Sequence, residues 1–324
     1  MKFYYAPMEG ITGHIYRNAH NTYFTGVDKY FAPFIAANQH DSFKTREIKD
    51  ISPENNKGLN LIPQILTNNA RDFIGAAEKI RSFGYDEINL NLGCPSGTVV
   101  AKYKGSGFLA KPDELDHFLD EIYSKTTMKI SIKTRIGKDS PEEFYRLIEI
   151  YNKYPLEELI IHPRIQQDFY KNKPNLEMFK EAIASSKHSI CYNGDIFTKE
   201  QYNIFVENFP MVEKVMLGRG MLSNPGLIQQ IQKDMPLDKK EFKAFHDSIC
   251  LAYQKELSGD KNVLFKMKEL WAYMSQMFTN YEKYAKKIRK SEKLSIYEEV
   301  VESLFTEQSI QEGAGFLSIP TNKR

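Results

Sequence analysis

Cys94 is the residue most open to chemistry in this chain. It sits in the run Asn91-Leu92-Gly93-Cys94-Pro95-Ser96, just past an apolar, strand-like stretch. A thiol on a tight Gly-Cys-Pro turn gains little from packing, so it reads as an acid or a nucleophile. Cys191, inside Ile190-Cys191-Tyr192, and Cys250, on a helix-like stretch, read as packing residues. Three cysteines with no CxxC pair argue against a zinc site and against a disulfide framework. That usage suits a reducing compartment. Lys133 and His162 end two other strand-like runs. A lysine there can stabilise negative charge on a bound ring, and a histidine can donate to a carbonyl or phosphate. Asn193-Gly194-Asp195 and Gly218-Arg219-Gly220 are glycine turns, the second carrying an arginine. Open backbone N–H groups with a nearby guanidinium suit a phosphate.

Residues on separate turns can cooperate only if the fold brings the turns together. Strands are expected at 3–6, 27–30, 61–66, 87–91, 129–133, 159–162, 189–193 and 214–217. Amphipathic helices are expected at 70–83, 112–124 and 141–154 from the spacing of their apolar residues. Eight strands separated by helical crossovers imply a parallel sheet. Eight such units in about 230 residues match an α/β (β/α)8 TIM barrel. An open doubly wound sheet is disfavoured, because no GxGxxG follows the first strand. In a barrel, chemistry gathers where strands end. Pro7-Met8-Glu9-Gly10, Gln64, Asn91, Cys94, Lys133, Arg135, His162, Arg164, Asn193-Gly194-Asp195 and Gly218-Arg219 all fall at such ends. The turns after the last two strands are the usual phosphate site of that fold.

After about Leu237 the pattern changes to helices at 241–257 and 263–284, with no strands between. Met267, Leu270, Trp271, Met274, Met277, Phe278 and Tyr281 make one apolar stripe. The chain divides into a barrel at 1–236, a C-terminal all-helical domain at 237–312 and a flexible tail at 313–324. Its 324 residues carry a net charge of only +2, so any nucleic-acid surface must come from local clustering. Residues 261–293 hold nine Lys/Arg and three Glu. Lys283, Lys286, Lys287 and Lys290 share one helix face by spacing. Lys102 and Lys104 lie in a glycine-containing loop after Cys94. The N-terminus is not a signal peptide, and no run approaches a membrane span.

Six ordered motifs resemble the tRNA-dihydrouridine synthase family, bacterial type. They are Ala6-Pro7-Met8-Glu9-Gly10-Ile11-Thr12, Asn89-Leu90-Asn91-Leu92-Gly93-Cys94-Pro95-Ser96, Gly105-Ser106-Gly107-Phe108-Leu109, Lys133-Thr134-Arg135-Ile136-Gly137, Asn193-Gly194-Asp195-Ile196 and Gly218-Arg219-Gly220. The match covers about residues 1–235. The helical remainder resembles the family's tRNA-recognition domain in size and position. One departure is His162-Pro163-Arg164-Ile165, where family members often have His-Gly-Arg-Thr.

The resemblance implies FMN, with NADPH as reductant, and a hydride passed to C6 of a D-loop uridine in tRNA. Cys94 would then give the proton to C5, since an ordinary thiol, with a pKa of about 8.5, is protonated at neutral pH. It implies cofactor contacts from Pro7, Met8, Glu9, Gln64, Lys133 and His162. Asn193, Gly194, Asp195, Gly218 and Arg219 would hold the phosphate. Asn91 and, more weakly, Arg164 and Arg135 would meet the uridine. Lys102, Lys283, Lys286, Lys287 and Lys290 would meet the tRNA. A cytoplasmic monomer with no metal and no membrane contact is expected. The alternatives are another FMN barrel acting on a free pyrimidine or enone, a flavin-free barrel with a nucleophilic Cys94, and a non-catalytic RNA-binding protein.

Overall fold

In the computed structural model, which describes residues 1–40 and 42–317, ten parallel strands form one sheet. They are β1 (Lys2–Tyr5), β2 (Lys29–Phe31), β3 (Ile35–Ala36), β4 (Leu61–Ile62), β5 (Gln64–Leu66), β6 (Glu87–Leu92), β7 (Lys129–Gly137), β8 (Leu159–Ile165), β9 (Ile190–Tyr192) and β10 (Lys214–Leu217). Their order is β3-β5-β6-β7-β8-β9-β10-β1-β2-β4. Proline explains why there are ten and not eight. Pro33 and Pro63 lack the N–H that a ladder needs, and each splits one barrel strand into two pieces. β4 pairs with β2 while β5 pairs with β6, and β4 and β5 are one run of chain. The eight-membered ring therefore closes, which is the expected TIM-barrel architecture.

Two strands extend beyond their expected ends. β7 reaches Gly137 and β8 reaches Ile165, with Arg135 paired to His162. The register shifts between Arg135 and Gly137, opposite Pro163. A bulge there absorbs the proline that cannot donate to the ladder. Arg135, His162 and Arg164 are thus held by strands and not by loops.

At the amino ends of the strands lies a buried ionic cluster. Glu158 is fully buried and accepts from Lys29 at 3.0 Å, Lys214 at 3.0 Å and the Tyr4 hydroxyl at 3.0 Å. Lys29 also pairs with Glu87 at 2.7 Å. Cys191 is completely buried, and burial together with the Glu158 charge pushes its thiol well up. It is a protonated packing group, as the sequence suggests.

The chain forms two compact units. The first comprises Met1–Pro7, Asp28–Asp195 and Met211–Met216. The second takes in Met8–Val27 and Ile196–Pro210 besides the chain from Leu217 onward. Helices occupy Ala70–Ser82, Pro112–Lys125 and Glu143–Tyr151 in the first unit and Lys239–Glu256 in the second. The single helix expected at 263–284 is corrected to two. Asp260–Met274 ends in a 3-10 turn, Ser275–Met277, and Tyr281–Lys290 follows. Asn280, at φ 48°, turns the chain between them, while Phe278 bridges to Ile310. Asparagine tolerates that left-handed backbone because its short side chain bonds locally. A further helix, Leu294–Glu307, buries Tyr297, Val301, Leu304 and Phe305. Of the expected tail, residues 318–324 lie outside the described residues. Phe316 is buried, and Leu317 donates its N–H to Gln276 Oε1 at 2.7 Å.

Candidate active site

Cys94 is held by a buried amide ladder. Asn89 and Asn91 alternate along β6, so both side chains leave the same face. Asn89 Nδ2 donates to Ser131 Oγ at 3.0 Å, and Gln64 Nε2 donates to Asn89 Oδ1 at 2.7 Å. Asn91 Nδ2 donates to Gln64 Oε1 at 2.7 Å. Asn91 Oδ1 then accepts the backbone N–H groups of Gly93 at 3.0 Å and Cys94 at 2.9 Å. The turn is fixed by a side chain that is itself fixed, so the thiol is preorganised. From the other side Ser106 donates its N–H and its hydroxyl to the Cys94 carbonyl, at 3.1 and 2.8 Å. Gly105 has φ +56° and sits so close that a Cβ would lie 2.8 Å from the Cys94 carbonyl oxygen. Only glycine fits both demands. Asn89 and Ser106 lie inside two of the motifs but carry no role from the sequence, and Ser131 is not singled out by it, although the period-two alternation of Asn89 and Asn91 points to the first.

Lys133 lies directly across from Asn91 in the β6–β7 register. Its ammonium makes no hydrogen bond or ion pair among the described residues. Burial, with the Arg135 guanidinium adding to it, lowers its pKa to about 8, against the opposing pull of Cys191 and Cys94. An unpaired, partly desolvated cation is suited to a ligand that becomes negative.

Two arginines expected near substrate are occupied within the protein. Arg135 is 1% exposed and donates to the carbonyls of Gly93 at 3.0 Å, Ile165 at 2.8 Å and Phe169 at 2.8 Å. It ties the Cys94 turn to the loop after β8. Arg164, also 1% exposed, donates to Asn172 O at 2.6 Å and pairs with Asp195 through two contacts, 2.9 and 2.5 Å. It also meets His162 Nε2 at 2.8 Å. A guanidinium can only donate, so that ring nitrogen accepts and the imidazole carries its proton on Nδ1. Arg164 therefore orients His162 and Asp195. Pro163 leaves that arrangement intact, because its neighbours on both sides still point their side chains inward. Tyr170, missed from the sequence, packs its ring 6.0 Å from that of His162.

Asn193 donates to the Met216 carbonyl at 2.8 Å. At Gly194 a Cβ would fall 2.0 Å from the Tyr192 hydroxyl, so a larger residue would have to displace that ring. Lys102 is exposed on the loop after Cys94, its carbonyl accepting from Asn68 Nδ2 at 3.1 Å. Pro7 closes the first segment of this unit.

The second unit holds the remaining expected residues. Met8 starts a turn in which its N–H donates to Thr12 Oγ1 at 2.8 Å and its carbonyl accepts from Ile11 and Thr12. Glu9 adds negative charge near Glu269, whose carboxyl is raised mainly by burial. Gly218 precedes the short helix Arg219–Ser223. The Arg219 guanidinium lies 5.2 Å from the Phe197 ring and 4.9 Å from that of Phe316. Lys283, Lys286, Lys287 and Lys290 are all exposed on the helix Tyr281–Lys290, which buries Tyr284 and Ile288. Among the described residues there is no His/Cys/Asp/Glu cluster suited to a metal, and no helix long and apolar enough to cross a membrane.

Known proteins resemble this arrangement. Residues 4–312 match the family model for dihydrouridine synthase. The tRNA-dihydrouridine synthase B of Pasteurella multocida (strain Pm70) is 25% identical over 232 residues, 71% of this chain and 69% of that one. The tRNA-dihydrouridine(16) synthase of Neisseria meningitidis serogroup A is 25% identical over 283 residues, 84% of each chain. Among solved structures, a morphinone reductase aligns with a TM-score of 0.51 at 11% identity. It covers 74% of this chain and 88% of that one, and shares the fold. With its family-model match spanning nearly the whole chain, this protein belongs to the dihydrouridine synthase family.

Proposed function

We propose that this protein is a tRNA-dihydrouridine synthase, using FMN and NADPH to saturate the C5–C6 bond of a D-loop uridine in tRNA. The observation that carries the reading is the pairing of a preorganised thiol with an unpartnered ammonium. Cys94 is fixed by Asn91, and Lys133 stands opposite Asn91 with nothing to neutralise it. Such a pair fits a ring that gains negative charge beside a site where a proton must be delivered. The relatives' names supply the substrate class.

Bound FMN supplies the hydride for C6 of the uracil ring. Cys94 gives its proton to C5, and Asn91 keeps the thiol aimed there. Lys133 would place its charge against a cofactor that becomes negative on reduction. His162, its tautomer set by Arg164, donates through Nδ1. Gln64 keeps one amide hydrogen beyond its two ladder bonds and would donate it to the cofactor. Pro7, Asn193, Gly194 and Asp195 of the first unit would take part in holding the cofactor. Arg164 and Arg135 act as positioning residues. Lys102 and the lysines at 283, 286, 287 and 290 bind tRNA phosphates, offsetting the few kcal/mol needed to extrude a base. The protein works as a cytoplasmic monomer.

The test is direct. Purified protein, FMN, NADPH and unmodified tRNA are mixed, and dihydrouridine is mapped by reverse-transcription stops. Stops at a D-loop position that need all the components support the reading. Turnover of free uridine as fast as tRNA, or none with either, overturns it.

A further inference from the structure

Four non-glycine residues among those described adopt a left-handed φ: Tyr103 at 52°, Phe169 at 49°, Asp234 at 56° and Asn280 at 48°. Asp and Asn take that conformation readily. For a bulky aromatic residue it is strained, and such strain persists where function uses it. Both aromatic side chains are also exposed, Tyr103 by 48% and Phe169 by 42%. Burial therefore explains neither. Neither ring meets another aromatic ring among the described residues.

Both residues are mounted on the frame that holds Cys94. Tyr103 follows β6, in the loop anchored by the two Ser106 bonds to the Cys94 carbonyl. Phe169 follows β8, and its carbonyl accepts from the same Arg135 guanidinium that grips the Gly93 carbonyl. Gln166 Nε2 further donates to the Pro95 carbonyl at 3.4 Å. The two strands lie on either side of β7 in the sheet. Cations surround the first ring. The Lys111 ammonium lies 4.3 Å from the Tyr103 centroid, Lys102 and Lys104 flank it in sequence, and Lys138 is within electrostatic range.

Exposed aromatic faces among lysines suit unpaired nucleobases, which stack on the rings while ammonium groups take the phosphates. We propose that Tyr103 and Phe169 are stacking platforms for the unpaired RNA bases next to the one that enters the barrel. This rests on the tRNA reading above and assigns it a substrate subsite. The strained backbones hold the rings outward, where the chain's own core cannot take them up.

The strain also supplies a clean test. Glycine adopts these φ values freely, so Tyr103→Gly and Phe169→Gly remove the ring without straining the fold. Binding of an unmodified tRNA transcript is measured by fluorescence anisotropy, beside thermal unfolding. Each variant is expected to bind about tenfold more weakly with an undiminished melting temperature, while Tyr103→Phe and Phe169→Tyr bind like the parent. Glycine variants that bind tRNA as tightly as the parent overturn the platforms and leave the tRNA reading standing. If the parent itself neither binds nor reduces tRNA, the tRNA reading fails and the platforms with it.

Discussion

The side-chain oxygen of Asn91 accepts the backbone N–H of Cys94 at 2.9 Å, and the Asn91 amide donates to Gln64 at 2.7 Å. The Asn91 side chain thus ties the Cys94 turn to the barrel interior, beside the holds of Arg135 and Ser106.

Asn91→Ala strands the N–H groups of Gly93 and Cys94 and the side-chain carbonyl of Gln64. A loss of about 2–4 kcal/mol is expected in denaturant unfolding. Cys94→Ala removes only the thiol and should leave stability almost unchanged. It should retain flavin, read from absorbance, and lose roughly 10²–10⁴ of its turnover on tRNA. Normal turnover by Cys94→Ala would remove the acid assignment.

Lys133 in its proposed role is expected to make cofactor affinity depend on pH. In the free protein its pKa is lowered to about 8, so above that pH the amine is neutral. Binding a negative group then requires proton uptake. Affinity for FMN is expected to weaken above about pH 8, up to tenfold per unit, and Lys133→Met should be weaker and flat in that range. The same shift bears on folding. A lysine whose pKa falls on folding binds fewer protons in the native state, so its charge opposes folding below about pH 8. That penalty is relieved as pH rises toward about 10.4, the unfolded value. Titrations of FMN fluorescence quenching and of unfolding would measure the two effects.

Arg164→Ala removes the guanidinium that pairs with Asp195 and donates to His162 Nε2. Breaking one partner of a buried pair costs roughly 3–5 kcal/mol. Asp195 is partly exposed, which places the expected loss near the lower end, about 3 kcal/mol. Arg164→Lys cannot make the two-point contact and should recover only part of it. Chemical denaturation of the three proteins checks the order.

The exposed lysines at 283, 286, 287 and 290 should contribute to RNA affinity and almost nothing to stability. Replacing Lys286 and Lys287 by glutamate should leave the melting temperature unchanged. It should also reduce the salt dependence of tRNA binding, by about 0.7–0.9 in the log–log slope for each phosphate no longer neutralised. An unaltered slope would place the RNA elsewhere.

Much of this was legible in the sequence, because the physics there is local. Alternating strand and helix periodicity, with polar residues after each strand, dictates a parallel barrel whose active end holds Cys94, Lys133 and His162. The Gly-Cys-Pro turn marks its thiol by chain geometry alone. What depends on residues far apart in the chain was not legible. Pro33 and Pro63 are visible in the sequence, but only the pairing of β4 with β2 and β5 with β6 shows that they divide strands without opening the ring. The helix expected at 263–284 ends at Met274, and beyond it Phe278 pairs with Ile310, a partner no local pattern identifies. Arg164 and Arg135 look like substrate ligands in a motif. Tertiary structure makes them braces, because a buried guanidinium must find acceptors and finds them on distant loops. For Cys94 the sequence supplies the proposed chemistry, a thiol on a tight turn past a strand. The fold decided how its turn is held, through the bond from Asn91 to Gln64, which needs β6 beside β5, and the bonds from Ser106, which need the loop after β6 to fold back.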